Sequence, residues 1–136
     1  MIFKNIGYLL SIFLLTFSSF SYAQKLDDTG ESSKWLHLVD SGQYSESWSE
    51  MNSFFKQQIT QQKWAKALNN IRAPLGKIIS HKKFSSKEYT SLPGAPDGKY
   101  IVLQFKTFFQ NKKESTETLT FSKSNTGWSV VGYYID

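Results

Sequence analysis

The segment Arg72-Ala73-Pro74-Leu75-Gly76 divides the chain into two halves with different hydrophobic periods. A proline lacks the backbone N–H and clashes with the preceding turn, so no helix interior runs through Pro74, and Ala73 before it is pushed away from helical geometry. Upstream, apolar residues recur at helical spacing. Trp35, Leu36, Leu38 and Val39 share a face, with Ser33 as the expected N-cap and Gly42 as the terminating C′ residue. Tyr44, Trp48, Met51 and Phe55 stand at i, i+4, i+7 and i+11, the stripe of a second amphipathic helix. Trp64, Leu68 and Ile71 line a third, for which the Thr60 hydroxyl is a suitable cap.

Downstream the period is two. In KYIVLQFKTFF, Ile101, Leu103, Phe105, Thr107 and Phe109 face one way, which predicts the buried side, and Tyr100, Val102, Gln104, Lys106 and Phe108 face the other. Leu119 and Phe121 alternate with Thr118, Thr120 and Ser122, the pattern of a half-solvated antiparallel strand. WSVVGYYI is a last strand, and IISHKKFSSKEYTSL a weaker, more polar one at or near a sheet edge. PGAPDG, QNKKES and SNTG are short enough for hairpin connections, with Asn111, Asn125, Gly127, Gly94 and Gly98 as positions that tolerate positive φ. These readings predict an α+β domain, N-terminal helices packed on a four-stranded antiparallel meander.

Residues 1–23 read as a signal peptide: one lysine, an apolar core from Tyr8 to Phe17, then Ser21-Tyr22-Ala23. That core is shorter than the roughly 20 residues a membrane span needs. Cleavage after Ala23 leaves a polar leader, residues 24–32, and a single domain, residues 33–136. The expected location is therefore periplasmic or secreted. The chain has no cysteine, which excludes disulfides, thiol chemistry, a lipobox and cysteine metal sites; an exported domain without disulfides fits a bacterial periplasm. Stability then rests on a core, for which the aromatics beyond residue 23, all 4 Trp with 5 of the 7 Tyr and 7 of the 11 Phe, are ample.

The net charge of +5 raises the question of nucleic acid. Export and the absence of arginine interleaved with aromatics argue against it, and Lys82, Lys83, Lys87, Lys112 and Lys113 read as solvated surface with at most weak contact with an anionic membrane.

WLHLVDSGQYSESW, QKWAKALNNIRAPLG, YTSLPGAPDGKYIVLQFKTFF and ETLTFSKSNTGWSVVGYYI, taken in this order over about residues 35–135, resemble the bacterial exported family catalogued as domain of unknown function 4019. The resemblance implies a cystatin-like or nuclear-transport-factor-2-like cone, a curved sheet wrapping helices, and implies no activity. Such a shape hosts ligand binders, pairing modules and enzymes alike.

The residues supply little catalytic chemistry. His37 and Asp40 at i, i+3 form a potential imidazole–carboxylate pair, but no nucleophile motif accompanies them, so a helix-surface contact is expected. His81 lies in a basic strand without a second ligand at metal spacing. Neither a metal nor a cofactor is expected. Arg72, the only arginine, could grip a ligand carboxylate through two parallel hydrogen bonds; the preferred reading has it tie the third helix to the sheet by pairing with Asp or Glu. Arg72, Tyr89, Asp97, Tyr100 and Tyr133 are the candidate ligand-binding residues. The expected function is a non-enzymatic module binding a small apolar ligand or an envelope protein, the alternative a small cone-fold enzyme with a pocket between sheet and helices. A buried cluster of His, Asp and Tyr in a deep pocket would favour the enzyme; an exposed aromatic sheet face would favour the binder.

Overall fold

The computed structural model describes residues 30–136; the signal-peptide reading and most of the leader lie outside them. Four helices, α1 (Glu31–Asp40), α2 (Tyr44–Ser49), α3 (Ser53–Gln58) and α4 (Gln61–Arg72), precede four strands, β1 (Ile78–Tyr89), β2 (Tyr100–Phe109), β3 (Lys112–Ser124) and β4 (Gly127–Ile135). The strands form one open antiparallel sheet in the order β1-β2-β3-β4, which makes this an α+β fold with β1 at an edge.

The helical stripes reach the core with three departures from the expected boundaries. The Tyr44-to-Phe55 stripe is split between α2 and α3. Its four residues still pack on the core, but Met51 leaves the helix to make a parallel bridge with Val130, and Asn52 N–H donates to the Val130 carbonyl at 2.7 Å. Asn52 then caps α3, its side-chain oxygen accepting from Phe54 N–H at 2.9 Å; a short side-chain acceptor and a tertiary strand contact together outcompete helix continuation. At α1 the cap is Gly30, with no side-chain capping bond, and Ser33 sits within the first turn. In α4 the expected Thr60 cap holds, accepting from Lys63 N–H at 3.3 Å, but the inward stripe is Trp64, Leu68 and Arg72, each four residues on, while Ile71 is 45 % exposed.

Ser47 stitches the helices together. It is fully buried, its carbonyl accepts the Trp35 indole N–H at 3.1 Å, and its hydroxyl accepts that of Trp64 at 3.0 Å. Large aromatics thus enter the core with their polar ends satisfied.

On the sheet, Ile101, Leu103, Phe105, Thr107 and Phe109 are all buried, as the alternation predicts, and Ser115, Glu117, Leu119 and Phe121 are buried opposite them. Tyr100, expected on the open face, is buried as well, its hydroxyl bonded to the Pro96 carbonyl of the preceding loop. β3 begins at Lys112, so most of QNKKES is strand and only Gln110 and Asn111 turn. Two irregularities mark β1, between Ile78 and Ser80 and between Lys83 and Ser85.

Positive φ is confined to glycines among the described residues: Gly42, Gly76, Gly94 and Gly127. Asn111, Asn125 and Gly98 are therefore not the special positions of their turns. In PGAPDG the φ of +75° belongs to Gly94, and a Cβ on Gly98 would meet only Tyr100, at 3.8 Å. Gly76 is the constrained position of RAPLG. Its φ is +74°, and a Cβ there would come within 2.9 Å of Asn111 Nδ2, because the β2–β3 turn is laced to this joint: Gln110 N–H donates to the Lys77 carbonyl and Asn111 N–H to the Leu75 carbonyl, at 2.8 and 2.9 Å.

Candidate functional site

Alternation along β3 places Glu117 on the same face as Leu119 and Phe121, so a carboxylate enters the core with no solvent exposure. A buried charge persists only where partners replace its lost hydration, and every neighbouring element supplies one. From β1, His81 Nδ1 lies 2.8 Å from Glu117 Oε1. From β2, the Thr107 hydroxyl donates to the same oxygen at 2.6 Å. From β4, the Tyr133 hydroxyl donates to Oε2. From α4, Arg72 Nη1 stands 3.9 Å from Oε2 and donates to the Tyr133 oxygen at 3.4 Å. The Arg72 guanidinium also lies over the Phe109 ring, 4.8 Å from its centroid.

A second carboxylate closes the cluster. Asp40, in the last turn of α1, accepts Arg72 Nη2 on Oδ1 at 2.8 Å and His81 Nε2 on Oδ2 at 2.6 Å. Two helices and all four strands thus meet in one set of side chains, whose two carboxylates balance a guanidinium and an imidazolium. Burial alone would lower the His81 pKa, but the hydrogen bonds to Asp40 and Glu117 outweigh it and raise the value to about 9. Burial likewise works against ionisation of Asp40 and Glu117, and is overcome: His81 and Arg72 hold Asp40 below its ordinary value, while His81, Thr107 and Tyr133 do the same for Glu117. Tyr133 is pushed upward by burial and by the Glu117 charge, and stays a neutral donor. Arg72 is raised, burial notwithstanding, by Tyr133, Asp40 and Glu117.

The chemical consequence is specific. Both imidazole nitrogens of His81 face carboxylate oxygens, so the protonated ring presents no lone pair to a substrate and cannot act as a base while the cluster is intact. The cluster is a charge-balanced clasp. The expected His37–Asp40 pair does not form: His37 is exposed, and its Nε2 lies 3.4 Å from the Ser41 hydroxyl, because Asp40 turns inward to Arg72 and His81.

Of the candidate binding residues, Arg72 and Tyr133 come together in the clasp, and Arg72 performs the helix-to-sheet tie expected of it. Tyr89 and Tyr100 pair at the far end of β1 and β2. Tyr100 is buried, its hydroxyl donating to the Pro96 carbonyl, and Asp97 is exposed in the connecting loop. Asp97 and Tyr100 line a cleft of about 370 Å³ between this loop, α3 and the sheet; they are not brought to Arg72 and Tyr133. His81, Asp40, Glu117 and Thr107 were not among the candidates. The alternation of Leu119 and Phe121, extended back two positions, is the signal that locates Glu117.

Two further clefts flank α1. One, of about 350 Å³, is lined by Leu36, His37, Asp40, His81, Lys83 and Phe105 and reaches the outer side of the clasp. The other, of about 440 Å³, opens between α1, α2 and the β3–β4 hairpin, with Trp35, Leu38, Phe121, Trp128 and Val130 on its walls. Among the described residues no group of three or more His, Cys, Asp or Glu could hold a metal ion, and no helix is long and apolar enough to cross a membrane.

No curated protein matches the chain. The pattern of a family described as "Protein of unknown function (DUF4019)" matches residues 31–133. The match spans every helix and all but the last residues of the sheet, and the chain belongs to this family.

Proposed function

We propose that the protein is a non-enzymatic binding module that works outside the cytoplasm and takes a small apolar ligand in the cleft between α1, α2 and the β3–β4 hairpin. The observation that carries this reading is the aromatic wall of that cleft, Trp35, Phe121 and Trp128, around a volume of about 440 Å³, within the range of small-molecule sites. The clasp supports it from the other side: the most concentrated chemistry in the fold is consumed in holding the helices to the sheet.

A neutral naphthylamine dye, N-phenyl-1-naphthylamine, tests the reading. Saturable binding with one site per chain, weakened by Leu38→Ser on the cleft wall, is the expected result. An absence of saturable binding would remove it. Export is tested separately: osmotic-shock fluid should contain a species starting at Gln24, and full-length protein in the membrane pellet would contradict that part.

The enzyme reading has one observation in its favour. His81, Asp40 and Tyr133 form a buried cluster of the kind an enzyme would hold, and the first two line a cleft. Against it stand the occupied imidazole nitrogens. It would require the clasp to open, with His81 then serving as an acid.

A further inference from the structure

Resting on the reading of the α1–α2 cleft as a ligand site, we infer that its ligand is a cation: an amphiphile with an apolar body and an ammonium or guanidinium head. The cleft has an aromatic floor and an acidic rim. Glu31, Glu46 and Glu50 line it together with a single cation, Lys34, whose Nζ is 3.9 Å from Glu31 Oε1. A chain with a net charge of +5 thus concentrates three carboxylates at the mouth of an aromatic cleft.

Glu31 and Glu46 stand in the first turns of α1 and α2, where the helix dipole favours a carboxylate, but Glu50 is placed against the local structure. Glu46 lies in α2 and Glu50 is its C-cap residue, four positions on, where like charges are neighbours and repel; a carboxylate at a helix C-terminus also opposes the helix dipole. Neither makes an ion pair among the described residues. A cationic head seated between them would relieve both penalties.

The wall fits the same ligand. Trp128 is the half-buried ring of the wall, and an indole face attracts an ammonium group; Lys123 Nζ, 5.8 Å from its centroid, is the cation that a ligand head would displace there.

The test is displacement of N-phenyl-1-naphthylamine from the full chain by three decyl probes held below their micelle concentrations: decyltrimethylammonium, decyl glucoside and decyl sulfate. Displacement reports the cleft alone, which matters because a basic protein also collects anionic surfactant elsewhere. We expect the cation to compete at least tenfold better than the neutral glucoside, with an advantage that shrinks as salt screens the rim. The double variant Glu46→Gln, Glu50→Gln should lose that advantage while keeping its affinity for dye and glucoside, which also shows that it is folded. Equal competition by all three probes, a preference for the sulfate, or an unchanged cation preference in the double variant would overturn the inference and leave the apolar cleft standing. Failure of the dye itself to bind would remove the cleft reading instead.

Discussion

Glu117 shows how one side chain organises the rest. Fully buried, it is tolerable only while His81, Thr107, Tyr133 and Arg72 surround it, and its removal leaves two cations sharing one carboxylate. Glu117→Ala should therefore destabilise the domain by about 3–5 kcal/mol, the range for breaking a buried ion pair, as measured by urea unfolding. His81 gives the pH dependence its sign. Its folded pKa, about 9, lies above the ordinary value of 6.5, so its contribution is complete below pH 6.5 and is lost as pH rises through 9. Across that window Asp40 and Glu117 remain ionised and Tyr133 protonated, so the alkaline loss belongs to His81. A fall on the order of 1–3 kcal/mol is expected, and His81→Asn should flatten the alkaline limb. On the acid side the depressed carboxyls of Asp40 and Glu117 reverse the sign: their stabilisation is present above their ordinary values and is lost as pH falls through the lower folded ones. Little of this was legible in the sequence. Local spacing pairs Asp40 with His37, three residues away, whereas its partners are 32 and 41 residues distant, and only the strand register brings His81 opposite Thr107.

At the scale of elements the sequence is more explicit, and its failures are instructive. Apolar periodicity finds the core faces of α1, α4, β2 and β3 because burial acts on every residue of a face. It misreads α2 and α3 as one helix because helical spacing survives a break when both pieces pack on the same core. It selects Ile71 over Arg72 because hydropathy alone cannot anticipate a guanidinium buried against Asp40. Trp64 is 7 % exposed, packs edge-on to Phe55 and donates to Ser47, so Trp64→Ala should lower stability by roughly 3–5 kcal/mol. Trp48, only partly buried, should lose less when truncated. Among the turns, Gly76→Ala combines left-handed backbone strain with a clash against Asn111; a loss of about 1–3 kcal/mol is expected, whereas Gly98→Ala should leave the melting temperature nearly unchanged. The loop composition announced that a glycine mattered in PGAPDG, but positive φ is decided by how the strands on either side meet, and it fell to Gly94.

Over the whole molecule, the change of period at Pro74 foretold an α+β architecture, since helical stripes followed by alternating strands leave few other ways to cover one sheet face. What it could not foretell is how the two borders of the sheet differ. β1 is an outer strand bearing exposed Lys82, Lys83 and Lys87 and two irregularities in its pairing, devices that discourage another chain from adding to it. Replacing Lys82 and Lys87 with valine should therefore promote self-association, detected by light scattering. At the opposite border the link between α2 and α3 sits against β4, Met51 bridging Val130 and Asn52 N–H occupying its carbonyl. Stacking sheets end to end into a fibre requires two receptive margins per subunit, and here the second is already interrupted at Val130. Were the lysines lost, two subunits could join back to back through β1, but the pair would end on two β4 margins, each already bridged at Val130, which opposes further growth.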